Sequence, residues 1–340
     1  MIRQSATSRN LLIIHQGALG DFVLTFPAIL KLKKKFSRID ALCQGKLGNM
    51  AVSLNIIDKF FPLEAARFAS LYSDSVDPRV KSILNLYHKI IVFSNSEKLE
   101  HTINEITGNK AVRIVPRPDI NQKIHVTEYT ASSLVKFNLL EKTDYDSILL
   151  PSLNTDRRDS LFDSKKIILH PGSGSIKKNW HVSNFVKICD RLKLCCMKPE
   201  FVTGTAEHFL LKDISKHGNQ IHMISDLTEL AFMLKKAGGF IGNDSGVTHL
   251  AAFLGLPTIA VFGPSDPDRW KPSGRAVKVV RPDLDCCPCF ETGKKICDKM
   301  ECFEKTTPEI VIREINRLLK EATWQDMHDR NSCKRKAELQ

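Results

Sequence analysis

Three short glycine-bracketed stretches carry groups suited to acid–base or phosphate chemistry. In LLIIHQGALGD, residues 11–21, an apolar run breaks at Gly17 and Gly20 and delivers an acid, Asp21, to the start of a helical pattern. In HPGSGSIKKNW, residues 170–180, the glycines around Ser173 expose backbone N–H donors, and Lys177 or Lys178 supplies a compact positive charge of the kind that neutralises a diphosphate leaving group. In GFIGNDSGVTHLAAFLGLPTIAVFGPSDPDRW, residues 239–270, an apolar strand hands Asn243, Asp244, Ser245 and Gly246 to a helix start. Unpaired N–H groups and the positive end of the dipole favour an anion there. His249, one turn further on, adds a donor. A shorter stretch, GTAE at 204–207, sets Glu207 beside a strand end, where a carboxylate can accept two hydrogen bonds from a ribose diol. Each group also has a plainer use: Asp21 and Asp244 can cap their helices, two adjacent lysines commonly form a solvated face, and Glu207 complements a helix N-terminus.

These loops must be held by strands and helices, and the periodicities supply them. Residues 11–14 are apolar and β-favouring, and 22–35 place Phe22, Val23, Phe26, Ile29, Leu30 and Leu32 on a helical stripe that Pro27 kinks or divides. Apolar runs at 90–93 and 112–115 continue the strand series, and 126–140 reads as a helix. Residues 142–164 are polar and turn-rich, which suits an interdomain connection. The pattern then restarts with a strand at 165–170, a glycine loop and an amphipathic helix at 182–194. Strands follow at 199–203, 221–224, 239–242 and 257–262, alternating with helices at 206–216, 226–237 and 247–254. Such alternation predicts parallel, doubly wound sheets, whose ligands bind outside the carboxyl ends of the strands. A last helix over 307–322 starts at Thr307-Pro308-Glu309, a cap followed by proline at the first helical position. The expected organisation is an N-terminal domain over 1–155, a C-terminal domain over 156–322 and a charged tail over 323–340.

Composition narrows the class. A chain of 340 residues suits two domains, and 42% hydrophobic with 26% charged residues is a globular balance. The opening ten residues carry arginine, but the apolar run that follows is too short for a signal peptide, so no export is expected. No apolar stretch approaches the roughly 20 residues that span a bilayer. Lysine and arginine exceed aspartate and glutamate by 50 − 38 = 12, which favours anionic partners. The basic run KLKKKFSR, 31–38, reads as a solvated helix end or as a contact with an anionic acceptor or membrane surface. Among 10 cysteines, five fall in DCCPCFETGKKICDKMEC, 285–302. There Cys286 or Cys287, with Cys289, Cys297 and Cys302, could hold a structural zinc, form disulfides or stay as thiols. The scattered cysteines read as small core residues or free thiols. Gly17-x-x-Gly20-Asp21 is not the G-x-G-x-x-G of a dinucleotide-binding dehydrogenase. Asp266-Pro267-Asp268 has the look of a metal-binding DxD but lies in a proline-rich loop, where aspartates make turns.

Together the opening strand with GALGD, HPGSGSIKKNW, GTAEH and above all GNDSGVTHLAAFLGLPTIAVFGPSDPDRW resemble the glycosyltransferase family 9 heptosyltransferases over nearly the whole chain. The resemblance implies a GT-B fold, two Rossmann-like domains facing across a cleft, the acceptor on the first, the nucleotide-sugar on the second, and the final helix packing back across the cleft. It implies inverting transfer from ADP-L-glycero-D-manno-heptose to the Kdo and heptose core of lipopolysaccharide, by a cytoplasmic monomer peripheral to the inner membrane, with no nucleic-acid partner. By resemblance Asp21 is the catalytic aspartate, next to Gly20. Ser173 and Lys178 contact the diphosphate, with Lys177 the competing lysine; Glu207 contacts the ribose; and Asp244, Ser245, Gly246 and His249 hold the donor phosphates and sugar. No metal or cofactor is required, the ADP-sugar being a substrate. A family member using another sugar nucleotide, or a non-catalytic sugar-nucleotide-binding protein of the same fold, is the alternative. A carboxylate of ordinary pKa about 4 is a weak base for a sugar hydroxyl, so it acts late, as the oxygen bonds to carbon.

Overall fold

Leu11 to Ile14 are wholly buried in the middle strand of a five-stranded parallel sheet. A strand covered on both faces reads as an unbroken apolar run, which is why this segment is legible without alternation. The computed structural model describes residues 9–144, 161–286, 288–290 and 301–337, and for 206 and 323–337 the backbone alone. The chain divides into two units, one of residues 1–149 with 226–228, the other of the remainder. The connection expected over 142–164 lies largely outside the described residues.

The first unit runs β1 (Asn10–His15), α1 (Leu19–Val23), α2 (Phe26–Leu32), β2 (Arg38–Cys43), α3 (Gly45–Ser53), β3 (Lys59–Pro62), α4 (Pro78–Asn85), β4 (Lys89–Phe93), α5 (Glu97–Thr107), β5 (Ala111–Ile114) and α6 (Val126–Lys136). Its sheet has the order β3-β2-β1-β4-β5, every pair parallel. The order reverses between β1 and β4, so the β1–α1 loop opens at the switch point where such sheets bind ligands. The stripe expected over 22–35 is two helices. Pro27 occupies the second position of α2, where a missing N–H costs nothing, and the chain turns at Leu24 and Thr25 ahead of it.

The second unit contains β6 (Asp163–His170), α7 (Val182–Leu194), β7 (Lys198–Thr203), α8 (Leu211–Ser215), β8 (Ile221–Met223), α9 (Leu227–Lys235) apart from its first two residues, β9 (Ala237–Asn243), α10 (Gly246–Phe253), β10 (Thr258–Val261), α11 (Pro267–Trp270), β11 (Val277–Val280), α12 (Glu301–Glu304) and α13 (Pro308–Ala337). The sheet order is β11-β10-β9-β6-β7-β8, again all parallel. Here the reversal lies between β6 and β9, and the loops leaving those two strands are HPGSG and NDSG. Val311 and Ile315 of α13 are wholly buried in the core of this unit, together with Phe185, Phe201 and Ile259. The final helix continues to Ala337 rather than stopping near 322, since 323–337 contain neither glycine nor proline to end it. The helix expected over 206–216 is a 3₁₀ segment, Thr205–Leu210, followed by α8. Among the described residues no helix is long and apolar enough to cross a membrane.

Candidate functional site

Asp21 is the third residue of α1, and its Oδ2 accepts a hydrogen bond from the Ala18 N–H at 3.3 Å. An acid at that position closes back on the helix start, so the capping use is real. It is not the whole account. Arg117, from the loop after β5, brings Nη2 within 3.4 Å of Oδ1 and 3.5 Å of Oδ2, while the carboxylate keeps 16% of its exposure. Gly17 makes this geometry accessible: a Cβ there would stand 2.8 Å from both Asp21 Cβ and His15 Cε1.

His15, at the end of β1, was not among the residues singled out from sequence. Its Nδ1 accepts the Gly17 N–H at 3.2 Å, and its ring packs against Phe22 and Phe93 with centroids 4.9 and 5.5 Å away. Burial pushes its pKa down to about 4, against the upward pull of Asp21. The ring is therefore neutral near pH 7, with its proton on Nε2, and it braces the loop. Below the ordinary histidine value of 6.5 the unfolded chain takes up a proton that the folded chain refuses until about pH 4. Stability is therefore complete above pH 6.5 and is lost as pH falls through that window, by about 3 kcal/mol at most. Urea unfolding across the window should show this slope in the wild type and a flatter one in His15→Gln; equal slopes would refute the assignment.

In the second unit the loops after β6 and β9 are tied together. Asn243, fully buried at the end of β9, donates to the Pro171 carbonyl at 2.7 Å and accepts the Trp180 N–H at 3.1 Å. Trp180 in turn donates its indole N–H toward the carbonyls of Phe303 and Thr306 and packs edge-on to Phe185. On this frame Lys178 Nζ lies 2.8 Å from Asp244 Oδ2 and 4.8 Å from the centroid of the Phe290 ring. Lys177 is exposed, so of the two lysines it is Lys178 that meets Asp244. Asp244 does not cap α10. Ser245 does, accepting the Thr248 N–H at 3.3 Å, and Thr248 fixes the turn through the Asn243 carbonyl. His249 Nε2 stands 3.9 Å from the other oxygen of Asp244, and Gly246 opens the helix. Ser173 Oγ lies 2.6 Å from Asn179 Oδ1 and 2.7 Å from the Ser175 carbonyl, which fixes the glycine loop.

Glu207 accepts the Gly204 N–H through Oε2, and its Oε1 is 3.6 Å from Nε2 of the buried His170, whose Nδ1 donates to the Val202 carbonyl at 3.0 Å. Its carboxylate lies on Gly172, where any Cβ would overlap it at 2.1 Å. Thus Glu207, Ser173, Lys178, Asp244, Ser245, Gly246 and His249 all lie in the loops or first helical turns that follow the carboxyl ends of the neighbouring strands β7, β6 and β9 in one sheet, while Gly20 and Asp21 belong to the first unit.

Asp266 caps α11 by accepting the Asp268 N–H at 3.0 Å, the turn-making use of an aspartate pair. Of the cysteine-rich stretch, Cys287 and Cys297 lie outside the described residues; Cys289 and Cys302 are buried and Cys286 is exposed. No group of three or more His, Cys, Asp or Glu able to hold a metal occurs among the described residues. Burial pushes the Cys43 thiol up to about 12 and the Cys189 thiol up to about 11, as suits core residues. In the basic run, Lys33 donates to the Asn55 carbonyl, Lys35 pairs with Glu141 and Arg38 with Asp40, so three of its cations are engaged within the chain.

Comparison with known proteins gives a consistent picture. The family model for glycosyltransferase family 9 (heptosyltransferase) matches residues 119–299. Lipooligosaccharide heptosyltransferase 2 of Campylobacter jejuni subsp. jejuni serotype O:6 is 25% identical over 317 residues, covering 88% of this chain and 96% of that protein. Among solved structures, E. coli ADP-heptose lps heptosyltransferase II superposes with a TM-score of 0.70 at 18% identity, over 92% of this chain and 99% of that one. E. coli heptosyltransferase WaaC with ADP gives 0.65 at 16% identity, over 91% and 99%. These likenesses show the fold to be GT-B.

Proposed function

This chain belongs to glycosyltransferase family 9, the heptosyltransferase family, and on that premise we propose that it transfers heptose, with inversion, from ADP-L-glycero-D-manno-heptose to a hydroxyl of the Kdo and heptose inner core of lipopolysaccharide. The observation that carries the proposal is the pairing of Lys178 with Asp244 beside the Ser245-capped start of α10, at the switch point of the second sheet. A cation and a helix start with N–H groups to offer together make a seat for a nucleoside diphosphate. The shared activity name of the Campylobacter relative and its end-to-end match support heptose as the sugar.

In the proposed reaction Asp21 takes the proton of the acceptor hydroxyl as that oxygen bonds to the anomeric carbon. The bond from that carbon to the diphosphate oxygen breaks on the opposite face, which inverts the centre. Charge then grows on the departing ADP, and Lys178 with the N–H groups at the start of α10 stabilise it. Glu207 accepts hydrogen bonds from the ribose hydroxyls, Ser173 contacts the diphosphate, and Asp244 and His249 face the sugar. Arg117 adds a cation beside the base, where an anionic acceptor group can bind. The proposal extends to work at the cytoplasmic face of the inner membrane, in keeping with the net charge of +12.

A donor screen tests it. ADP-heptose and other sugar nucleotides are offered with core acceptors bearing no heptose or one, in detergent and in anionic vesicles. ADP release that requires both ADP-heptose and an acceptor is the expected result. Turnover confined to another sugar nucleotide would overturn the choice of donor, and tight ADP-heptose binding without turnover on any acceptor would make the chain a binding protein.

A further inference from the structure

The stretch DCCPCF, 285–290, leads away from β11, and the reaction as described makes no use of it. Its last residue nevertheless reaches the site. The N–H groups of Cys289 and Phe290 both donate to the Pro264 carbonyl at 2.9 Å. Pro264 follows β10, which pairs in parallel with β9, the strand that ends at Asn243 and leads into Asp244. Ring and carboxylate are thus anchored just beyond the ends of adjacent strands, and the Lys178 ammonium meets both, 2.8 Å from Asp244 Oδ2 and 4.8 Å from the Phe290 centroid.

We propose that Phe290 is a positioning residue that holds the Lys178 ammonium over its ring face by a cation–π contact and so presents it, with its charge intact, to the departing diphosphate. The inference rests on the diphosphate role given to Lys178. Lysine carries its charge on a flexible four-carbon stem, so without fixed neighbours the ammonium would lose much freedom in meeting the charge that develops on the leaving group. Asp244 alone would fix it at a cost, since a carboxylate cancels the charge that the leaving group needs. An aromatic face attracts a cation through its quadrupole and cancels nothing, and 4.8 Å is within the range of that attraction. Phenylalanine also brings no hydroxyl to compete for the ammonium.

The test replaces Phe290 in the full-length chain by phenylalanines bearing one, two and three fluorines, which keep the ring's shape and progressively weaken its negative face. Turnover should fall stepwise with each fluorine while the donor KM changes little, Phe290→Trp should retain activity, and Phe290→Leu should lose roughly 5- to 30-fold. The same series in a Lys178→Met background should be flat. A flat series in the otherwise unaltered enzyme, with Lys178→Met inactive, would overturn the role of Phe290 and leave that of Lys178 standing. If Lys178→Met keeps full turnover, the diphosphate reading itself fails.

Discussion

Asp21→Asn should lower turnover by about a thousandfold while ADP binding is unchanged. Asparagine is nearly the same shape, and its side-chain oxygen can still accept the Ala18 N–H that Asp21 accepts at 3.3 Å, so α1 keeps its cap. What is lost is the ability to take a proton. Asp21→Ala loses both, and its lower stability relative to Asp21→Asn, about 1 kcal/mol, reports the Ala18 cap together with the Arg117 hydrogen bond that asparagine can still accept. The neighbouring Arg117 sharpens the expectation. Its guanidinium stands 3.4 Å from the carboxylate and sets a cation next to the proposed base. Arg117→Ala is therefore not equivalent to loss of the base: it should act mainly on the KM of a phosphorylated acceptor. Full turnover in Asp21→Asn, measured as ADP release with saturating donor and acceptor, would remove the base assignment. Weakened ADP binding in that variant would instead point to a damaged fold.

The parts of this molecule that could be read from sequence are those whose reasons are local. β1, the second half of β6 from Ile167 to Leu169, and β9 are buried on both faces and read as uninterrupted strand segments, and α7 has the bounds its periodicity indicates. β2 escaped notice because an acid, Asp40, sits in its middle. It is buried at 1% exposure and satisfied by Arg38 and by the hydroxyl of Tyr87, 47 residues away, a pairing no local pattern announces. The site divides in the same way. The glycine loops with their acids and lysines could be picked out as candidates because such residue types gather where strands hand over to helix starts, and the structure does bring Lys178 and Asp244 together. Arg117 beside Asp21 and Phe290 beside Lys178 were not, since each joins its partner only through strand order. The sequence offers Asp244 as a helix cap, but its neighbour Ser245 can accept an N–H equally well, a difference of one position that no local pattern announces. The structure gives the cap to Ser245, and that leaves Asp244 available to Lys178.

That division of labour leads to a second large effect, in which the two members of one ion pair behave oppositely. Lys178→Met should cut turnover by about 10²- to 10³-fold, the range seen when one donor to a developing anion is removed, and should also weaken ADP binding. Lys178→Arg should not restore it, because a planar fork on a stiffer head does not replace a compact ammonium lodged between a carboxylate and a ring. Asp244→Asn removes the negative charge that lies 2.8 Å from the same ammonium. The diphosphate then no longer competes with a carboxylate for Lys178, so ADP should bind as tightly as before or more tightly, while kcat/KM for the ADP-sugar falls because the group facing the sugar is altered. Calorimetric titration with ADP, set beside steady-state kinetics with the sugar nucleotide, separates the two. Breaking a mostly buried pair also costs stability, up to about 3 kcal/mol in either variant. Melting temperatures should therefore fall in both, while ADP affinity falls only in Lys178→Met. If ADP affinity falls equally in the two, the pair serves the fold and not the diphosphate.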